Sequence, residues 1–323
     1  MQEHYPTFQK IKDKVDNAKH ILALSHQNPD GDGLGALLAL GIYFRSINTP
    51  HVLFCLDPAP EYFQFLPNVE VITSDETHLA TKEFDLIIIL DSGDLEYAGI
   101  HEHFRKLKGL PVVINIDHHP SNAYFGHINL VHPAASSTSE IIYHFLDYFR
   151  FPIDKEVATC LLTGILTDTG GFSNLATTSS SMEVASKLLA SGARLKQITE
   201  NALKNKSLTQ LQLWGRALAR LKRDEKTGVV TTVITQKDFD ELDIDDNGTE
   251  GIANFLNNID GAKVIIVLRE KEDGTIKASL RTTHPEVDVS ELAKKFGGGG
   301  HKKAAGFSVK GKIVETKEGW KII

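Results

Sequence analysis

The chain has 323 residues, 41% hydrophobic and 24% charged, with a formal net charge of −7; this suits a globular protein of about two domains and excludes a broad basic surface for long duplex nucleic acid. Two cysteines, Cys55 and Cys160, both in apolar runs, cannot build a disulfide framework and read as core thiols in a reducing compartment. No apolar stretch approaches the ~20 residues that span a bilayer, and the polar start MQEHYPTFQKIKDKVDNAKH is no signal peptide, so a cytoplasmic location without membrane contact is expected.

In chain order, ILALSH (21–26) reads as a strand, GLGALLALGIYFRSI (33–47) as a helix and HVLFCLD (51–57) as a second strand. FDLIIILD (84–91) and PVVINID (111–117) are continuous apolar runs, which suit strands buried on both faces of a parallel sheet. Residues 136–150, 154–167 and 179–191 read as helices. The expected fold is α/β: a doubly wound, mainly parallel sheet over 1–193, a helical connector over 194–224, and a smaller α+β domain over 225–323. In that second domain VVTTVI (229–234) is a strand, and 262–283 forms two strands around the turn signal Asp273-Gly274. A short helix, DVSELAKKF, then precedes GGGGHKKAAGFSV.

Ligands of open α/β sheets bind at the carboxyl ends of the strands, and there the ionisable residues collect. The first strand ends in His26 and runs into Asp30 and Asp32; the others end in Asp91 and in Asp117, His118 and His119; an apolar helix ends in Asp168. Singly each has a bland reading as a turn, a cap or a core histidine. Jointly, four carboxylates at one edge would repel one another and take up protons unless cations neutralise them. Oxygen ligands with a minority of histidines suit Mn²⁺ or Mg²⁺, with Co²⁺ or Zn²⁺ as alternates. GDGLGA (31–36), with Asp57 on the next strand, also fits a dinucleotide fingerprint, but that reading leaves Asp91, Asp117, His118, His119 and Asp168 without work. An EF-hand is excluded because the twelfth position counted from Asp30 is Gly41, not Glu.

SHQNPDGDGLGA, the aspartate of ILDSGD, IDHHPSN and TGILTDTGGF resemble, in order, the four motifs of the DHH phosphoesterases. GGGGHKKAAGF resembles the glycine-rich motif of the DHH-associated C-terminal domain, so the match spans nearly the whole chain. The size and layout are most similar to the short members, which degrade very short oligoribonucleotides and dephosphorylate 3′-phosphoadenosine 5′-phosphate. The resemblance implies two divalent cations, Mn²⁺ first. His26, Asp30 and Asp91 would hold one, and Asp32, Asp91, His118 and Asp168 the other. His119 would face the scissile phosphate or orient the nucleophile, and Asp117 would support a histidine. His118, His119 and Asp91 are thus the expected catalytic set, acting with a hydroxide activated between two ions.

In the second domain, bare N–H groups of Gly298, Gly299 and Gly300, together with His301 and Arg281, would grip phosphate. A grip at one end and metals at the other favour substrates of two to a few nucleotides. The expected partners are therefore short single-stranded oligoribonucleotides and small phosphorylated nucleotides, and the resemblance allows a homodimer. The rivals are a hydrolase of linear dinucleotides, a manganese-dependent inorganic pyrophosphatase, and a nucleotide-binding regulator with a dead site. ASSTSE (135–140) carries a capping pattern, Ser137 to Glu140.

Overall fold

Apolar runs of four to six residues become the centre of the first sheet. The computed structural model describes residues 1–81, 83–104, 111–203, 206–249, 251–316 and 319–323. The chain divides into two units, Met1–Asn205 and Lys206–Ile323. The first holds strands β1 (Ile21–Leu24), β2 (His51–Phe54), β3 (Ile72–Thr73), β4 (Leu86–Leu90), β5 (Val112–Asp117) and β6 (Ile128–Val131). They form one parallel sheet in the order β3-β2-β1-β4-β5-β6. Alternate residues bury on opposite faces. Ala23, Ile88 and Ile114 join the larger core, whereas Leu22, Ile87 and Val113 join a second cluster on the other side. This two-sided burial explains why the strands read as unbroken hydrophobic runs.

The helices of this unit are α1 (Tyr5–Asn17), α2 (Gly31–Ser46), α3 (Thr77–Thr81), α4 (His101–Phe104), α5 (Thr138–Tyr148), α6 (Lys155–Asp168), α7 (Ser179–Ala190) and α8 (Leu195–Ile198). Helix α2 is buried along Gly31–Gly41 and packs tightly on α6. A Cβ at Gly35 would stand 2.4 Å from the Cys160 carbonyl oxygen, so the crossing requires glycine. Phe63 and Leu66 of EYFQFL (61–66) are buried in the core, and the two cysteines are buried free thiols.

Helix α5 begins as its capping pattern predicts: the Ser137 side chain accepts from the Glu140 N–H. Glu140 then reaches one residue further back, accepting from Ser136 N and Oγ, and also takes the Ser180 hydroxyl. Burial opposes its ionisation, but His144, Ser180 and Ser136 outweigh that and hold the carboxyl down to about 2. Because the folded pKa lies below the unfolded one, this stabilisation is present above pH ~4.5 and is lost as pH falls toward 2. In urea unfolding, Glu140→Gln is expected to cost about 3 kcal/mol at pH 7, and its gap to the wild type is expected to close between pH ~5 and ~2.5. A gap independent of pH would refute the ionised role.

The second unit contains α9 (Leu208–Ala219), α10 (Gln236–Leu242), α11 (Ile252–Leu256) and α12 (Val289–Lys294). Its strands are β7 (Lys222–Arg223), β8 (Val229–Ile234), β9 (Val264–Glu270), β10 (Thr275–Arg281), β11 (Gly299–His301), β12 (Ala304–Lys310), β13 (Ile313–Thr316) and β14 (Gly319–Ile322). The main sheet is mixed, in the order β11-β12-β10-β9-β8-β7, with β8 and β9 parallel; β13 and β14 pair separately. The predicted hairpin forms with Gly274 at φ 74° in its turn. Within the 194–224 segment, Leu195–Ile198 belongs to the first unit, while Leu208–Ala219 packs on β8 of the second. Ser207 caps that later helix by accepting from Gln210 N. No helix among the described residues is long and apolar enough to cross a membrane.

Candidate metal centre

The strand order reverses at β1, which has β2 on one side and β4 on the other. The carboxyl ends of β1, β4 and β5 meet around this switch point. After β1, the His26 Nδ1–H donates to the Gln27 carbonyl (2.7 Å), which leaves Nε2 for the site. That nitrogen lies 3.7 Å from Asp30 Oδ1 and 3.6 Å from Asp91 Oδ2. The Tyr97 ring stacks on the imidazole at 4.9 Å.

Asp30 caps α2: its Oδ1 accepts from Asp32 N (2.9 Å) and Gly33 N (3.0 Å). The buried Asp32 side chain accepts from the first amides of α5, Thr138 N (2.6 Å) and Ser139 N (2.8 Å). Asp91 follows β4 with a left-handed backbone, φ 56°, and its Oδ1 accepts from the Thr138 hydroxyl (3.0 Å). At the end of β5, Asp117 Oδ1 accepts from His118 N (2.8 Å) and pairs with His119 Nδ1 (2.7 Å), while its Oδ2 accepts from Asn122 Nδ2 (2.6 Å). Burial opposes ionisation of Asp117, but His119 and Asn122 outweigh it and hold the carboxyl low. Asp168 closes α6 and places Oδ2 3.1 Å from His118 Nε2. That buried nitrogen makes no aligned hydrogen bond.

Three donors, His26, Asp30 and Asp91, lie within reach of a single ion, and so do Asp32, His118 and Asp168. Asp91 stands between the two groups. Its Oδ2 faces His26 at 3.6 Å and its Oδ1 faces His118 at 3.6 Å and His119 at 3.7 Å. Without cations the cluster recruits protons. Burial, then Asp91 and Asp168, push Asp32 well up, and burial with Asp30 and Asp91 lifts Asp168 to about 6. Burial disfavours both imidazolium ions, yet Asp30 and Asp91 drive His26 up to about 12, and Asp168, Asp91 and Asp32 drive His118 to about 10. A buried imidazole nitrogen aimed among three carboxylates has the geometry of a metal ligand. The donor set, oxygen-rich with a minority of imidazoles, fits two divalent cations.

All six residues expected as ligands meet at this edge, with Asp117 beside them. The dinucleotide alternative meets a physical obstacle: the start of α2, where a pyrophosphate would sit, is already filled by the Asp30 carboxylate. Asp57 is engaged locally, accepting from Asn28 N (2.8 Å). Sequence reasoning missed Tyr97, Thr138, Ser139 and Asn122. Asn122 lies three residues beyond the DHH triplet and could have been suspected. Backbone donors of α5 have no residue signature.

In the second unit, Arg281 is partly buried. Its Nε donates to Asn254 Oδ1 (2.7 Å) and its Nη1 to the Leu280 carbonyl (2.9 Å). Arg281, Arg269, Lys277, Asn254 and Ser279 line a cavity of about 270 Å³. The glycine run forms exposed edge strand β11, paired to β12. Close approach dictates part of it: a Cβ at Gly298 would stand 2.1 Å from the Gly306 carbonyl oxygen.

Comparison with known proteins follows the same two units. Residues 20–165 match the DHH family, N-terminal domain, and residues 225–318 match the DHHA1 domain. The bifunctional oligoribonuclease and PAP phosphatase NrnA of Thermus thermophilus is 31% identical over 90% of this chain and 84% of its own. Among solved structures, an exopolyphosphatase-related protein from Bacteroides fragilis aligns with a TM-score of 0.85 at 26% identity, covering 94% of this chain and 90% of its own. RecJ of Thermus thermophilus in complex with Mn²⁺ shares the fold at a TM-score of 0.54 and 15% identity, covering 94% of this chain and 52% of that one.

Proposed function

The chain belongs to the DHH family of phosphoesterases, and from that premise we propose that it hydrolyses very short oligoribonucleotides to mononucleotides and dephosphorylates 3′-phosphoadenosine 5′-phosphate to AMP. The carrying observation is Asp91, whose two oxygens face separate donor groups across one sheet edge. The substrates are those in the name of the Thermus thermophilus relative.

The ions would be held by His26, Asp30 and Asp91 on one side and by Asp32, Asp91, His118 and Asp168 on the other. When bound, two divalent cations, Mn²⁺ first, supply Lewis-acid polarisation of a phosphoryl oxygen and acidify a water. The chain supplies the geometry. Thr138 and Ser139 amides pin Asp32, the Thr138 hydroxyl pins Asp91, and the Gln27 carbonyl fixes the His26 tautomer. His119, oriented through Nδ1 by Asp117, meets the scissile phosphate. Catalysis thus belongs to 1–193, joined through 194–224 to a substrate-binding domain, 225–323. There Arg281, in a cavity with two other cationic side chains, and the segment Gly298–His301 take the anionic end of the substrate. Long duplexes are poor substrates. The buried free thiols of Cys55 and Cys160 agree with a reducing cytoplasm.

The test is a substrate panel with Mn²⁺: a ribonucleotide dimer, a long RNA, 3′-phosphoadenosine 5′-phosphate and pyrophosphate. The dimer and the nucleotide are expected to turn over at least ~100-fold faster than the others, a difference of about 2.7 kcal/mol. Chelation is expected to abolish activity and Mn²⁺ to restore it. Preference for pyrophosphate would overturn the substrate assignment, and activity surviving chelation would overturn the metal assignment.

A further inference from the structure

Away from the acid-rich edge, one other group of side chains among the described residues lies within reach of a single ion: Glu3, His4 and His132. They come from distant parts of the chain. Glu3 and His4 belong to the helical turn Gln2–His4 that leads into α1, and His132 follows β6. His4 Nε2 and His132 Nδ1 are 3.1 Å apart. Glu3 Oε1 lies 3.6 Å from the first nitrogen and 3.8 Å from the second. The imidazoles meet edge to face and are only 18% and 17% exposed, whereas Glu3 is 71% exposed.

Both histidines stand on fixed supports. Helix α1 buries Phe8, Ile11 and Val15 in the main core and packs on β6. The His132 N–H donates to the Asp117 carbonyl (2.9 Å) at the end of β5. A hydrogen bond between imidazoles would use two of the three converging atoms; a cation uses all three. Burial holds both imidazoles below their ordinary pKa despite Glu3, so at neutral pH they offer lone pairs to a metal rather than protons to a carboxylate.

We propose that Glu3, His4 and His132 form a second cation site, separate from the acid-rich centre and selective for a borderline transition ion, Zn²⁺ first, with solvent completing the coordination. Two imidazoles and one carboxylate are a recurrent zinc donor set that leaves a position open. Nitrogen donors favour Zn²⁺ over Mn²⁺ by the general affinity order, whereas the oxygen-rich centre suits harder ions. An ion here staples the start of α1 to the segment after β6. That segment runs on to α5, whose first amides hold Asp32.

The test uses the full chain saturated with Mn²⁺ and titrated with Zn²⁺ against a chromophoric chelator. Co²⁺ absorption serves as a second readout, and thermal unfolding as a third. Wild type is expected to take up one Zn²⁺ per chain without releasing Mn²⁺, and its Tm is expected to rise. His4→Ala and His132→Gln are expected to weaken that uptake at least tenfold and to lose the rise in Tm, with Mn²⁺-dependent turnover unchanged. Asp91→Asn is expected to retain the Zn²⁺ site. The proposal fails if both histidine variants bind Zn²⁺ as wild type does, or if Zn²⁺ enters only by displacing Mn²⁺. Should His132→Gln not fold, His4→Ala and Glu3→Gln, both in the N-terminal turn, carry the same comparison.

Discussion

Asp91→Asn is expected to lower kcat/KM on a ribonucleotide dimer by about 10³-fold or more, near 4 kcal/mol of transition-state stabilisation, while the fold persists. Asn keeps the size of the side chain and tolerates the left-handed backbone found here at φ 56°. What it loses is the charge shared between two donor groups, and an amide nitrogen that donates would replace one oxygen that accepts. Bound Mn²⁺ per chain, measured after equilibrium dialysis, is expected to fall along with the rate. A variant turning over within tenfold of wild type would show that the shared carboxylate is not part of the machinery. The backbone can be read separately. Asp91→Ala must place a Cβ in the left-handed region, whereas Asp91→Gly need not, so alanine is expected to be the less stable of the two by about 1 kcal/mol.

Gly164→Ala is expected to damage stability and rate together, although it adds only a methyl group. On α6 that methyl would stand 2.1 Å from Ser139 Oγ, 2.7 Å from Ser139 Cβ and 2.6 Å from Asp32 Oδ1. The hydroxyl can rotate away, but the Cβ is fixed to α5, so the two helices must part. Overpacking of this kind costs about 1–3 kcal/mol. Moving the start of α5 also moves the amides that hold Asp32, and a misplacement near 1 Å can cost about 10²-fold in rate. Gly215 on α9 is the control: nothing lies within 4 Å of a Cβ built there. Gly215→Ala is expected to stabilise by roughly 0.5–1 kcal/mol through helix propensity, without effect on turnover. Urea unfolding and steady-state kinetics on both variants decide the matter; a Gly164→Ala protein as stable and active as wild type would contradict the packing.

The gathering of ionisable side chains at one edge was legible in the sequence. His26, Asp30, Asp32, Asp91, His118 and Asp168 stand at the ends of apolar segments, and parallel topology gathers such ends on one edge. Strand cores were equally clear because two-sided burial leaves unbroken apolar text. Their last residues were not: β1 stops at Leu24 and β2 at Phe54, short of the expected His26 and Asp57. The amides of Thr138 and Ser139 escaped notice because a backbone N–H carries no letter. The helical text of 194–224 gave no sign that its later helix, Leu208–Ala219, packs on the second unit's own sheet. GGGG reads as bare N–H groups that grip phosphate; two of its glycines answer also to the neighbouring strand, Gly298 through close approach and Gly300, at φ 134°, through close approach and its backbone angle.

The acids at the switch point are tied down by the protein itself. Asp30 is held by its own helix, Asp32 by the start of α5, Asp91 by a threonine hydroxyl and Asp117 by an asparagine. Such a cage is preorganised: departure of the proposed ions would leave charge to be rebalanced by protons but little structure to be rebuilt. Metal exchange in the proposed centre is then expected to follow the supply of ions and pH more than refolding.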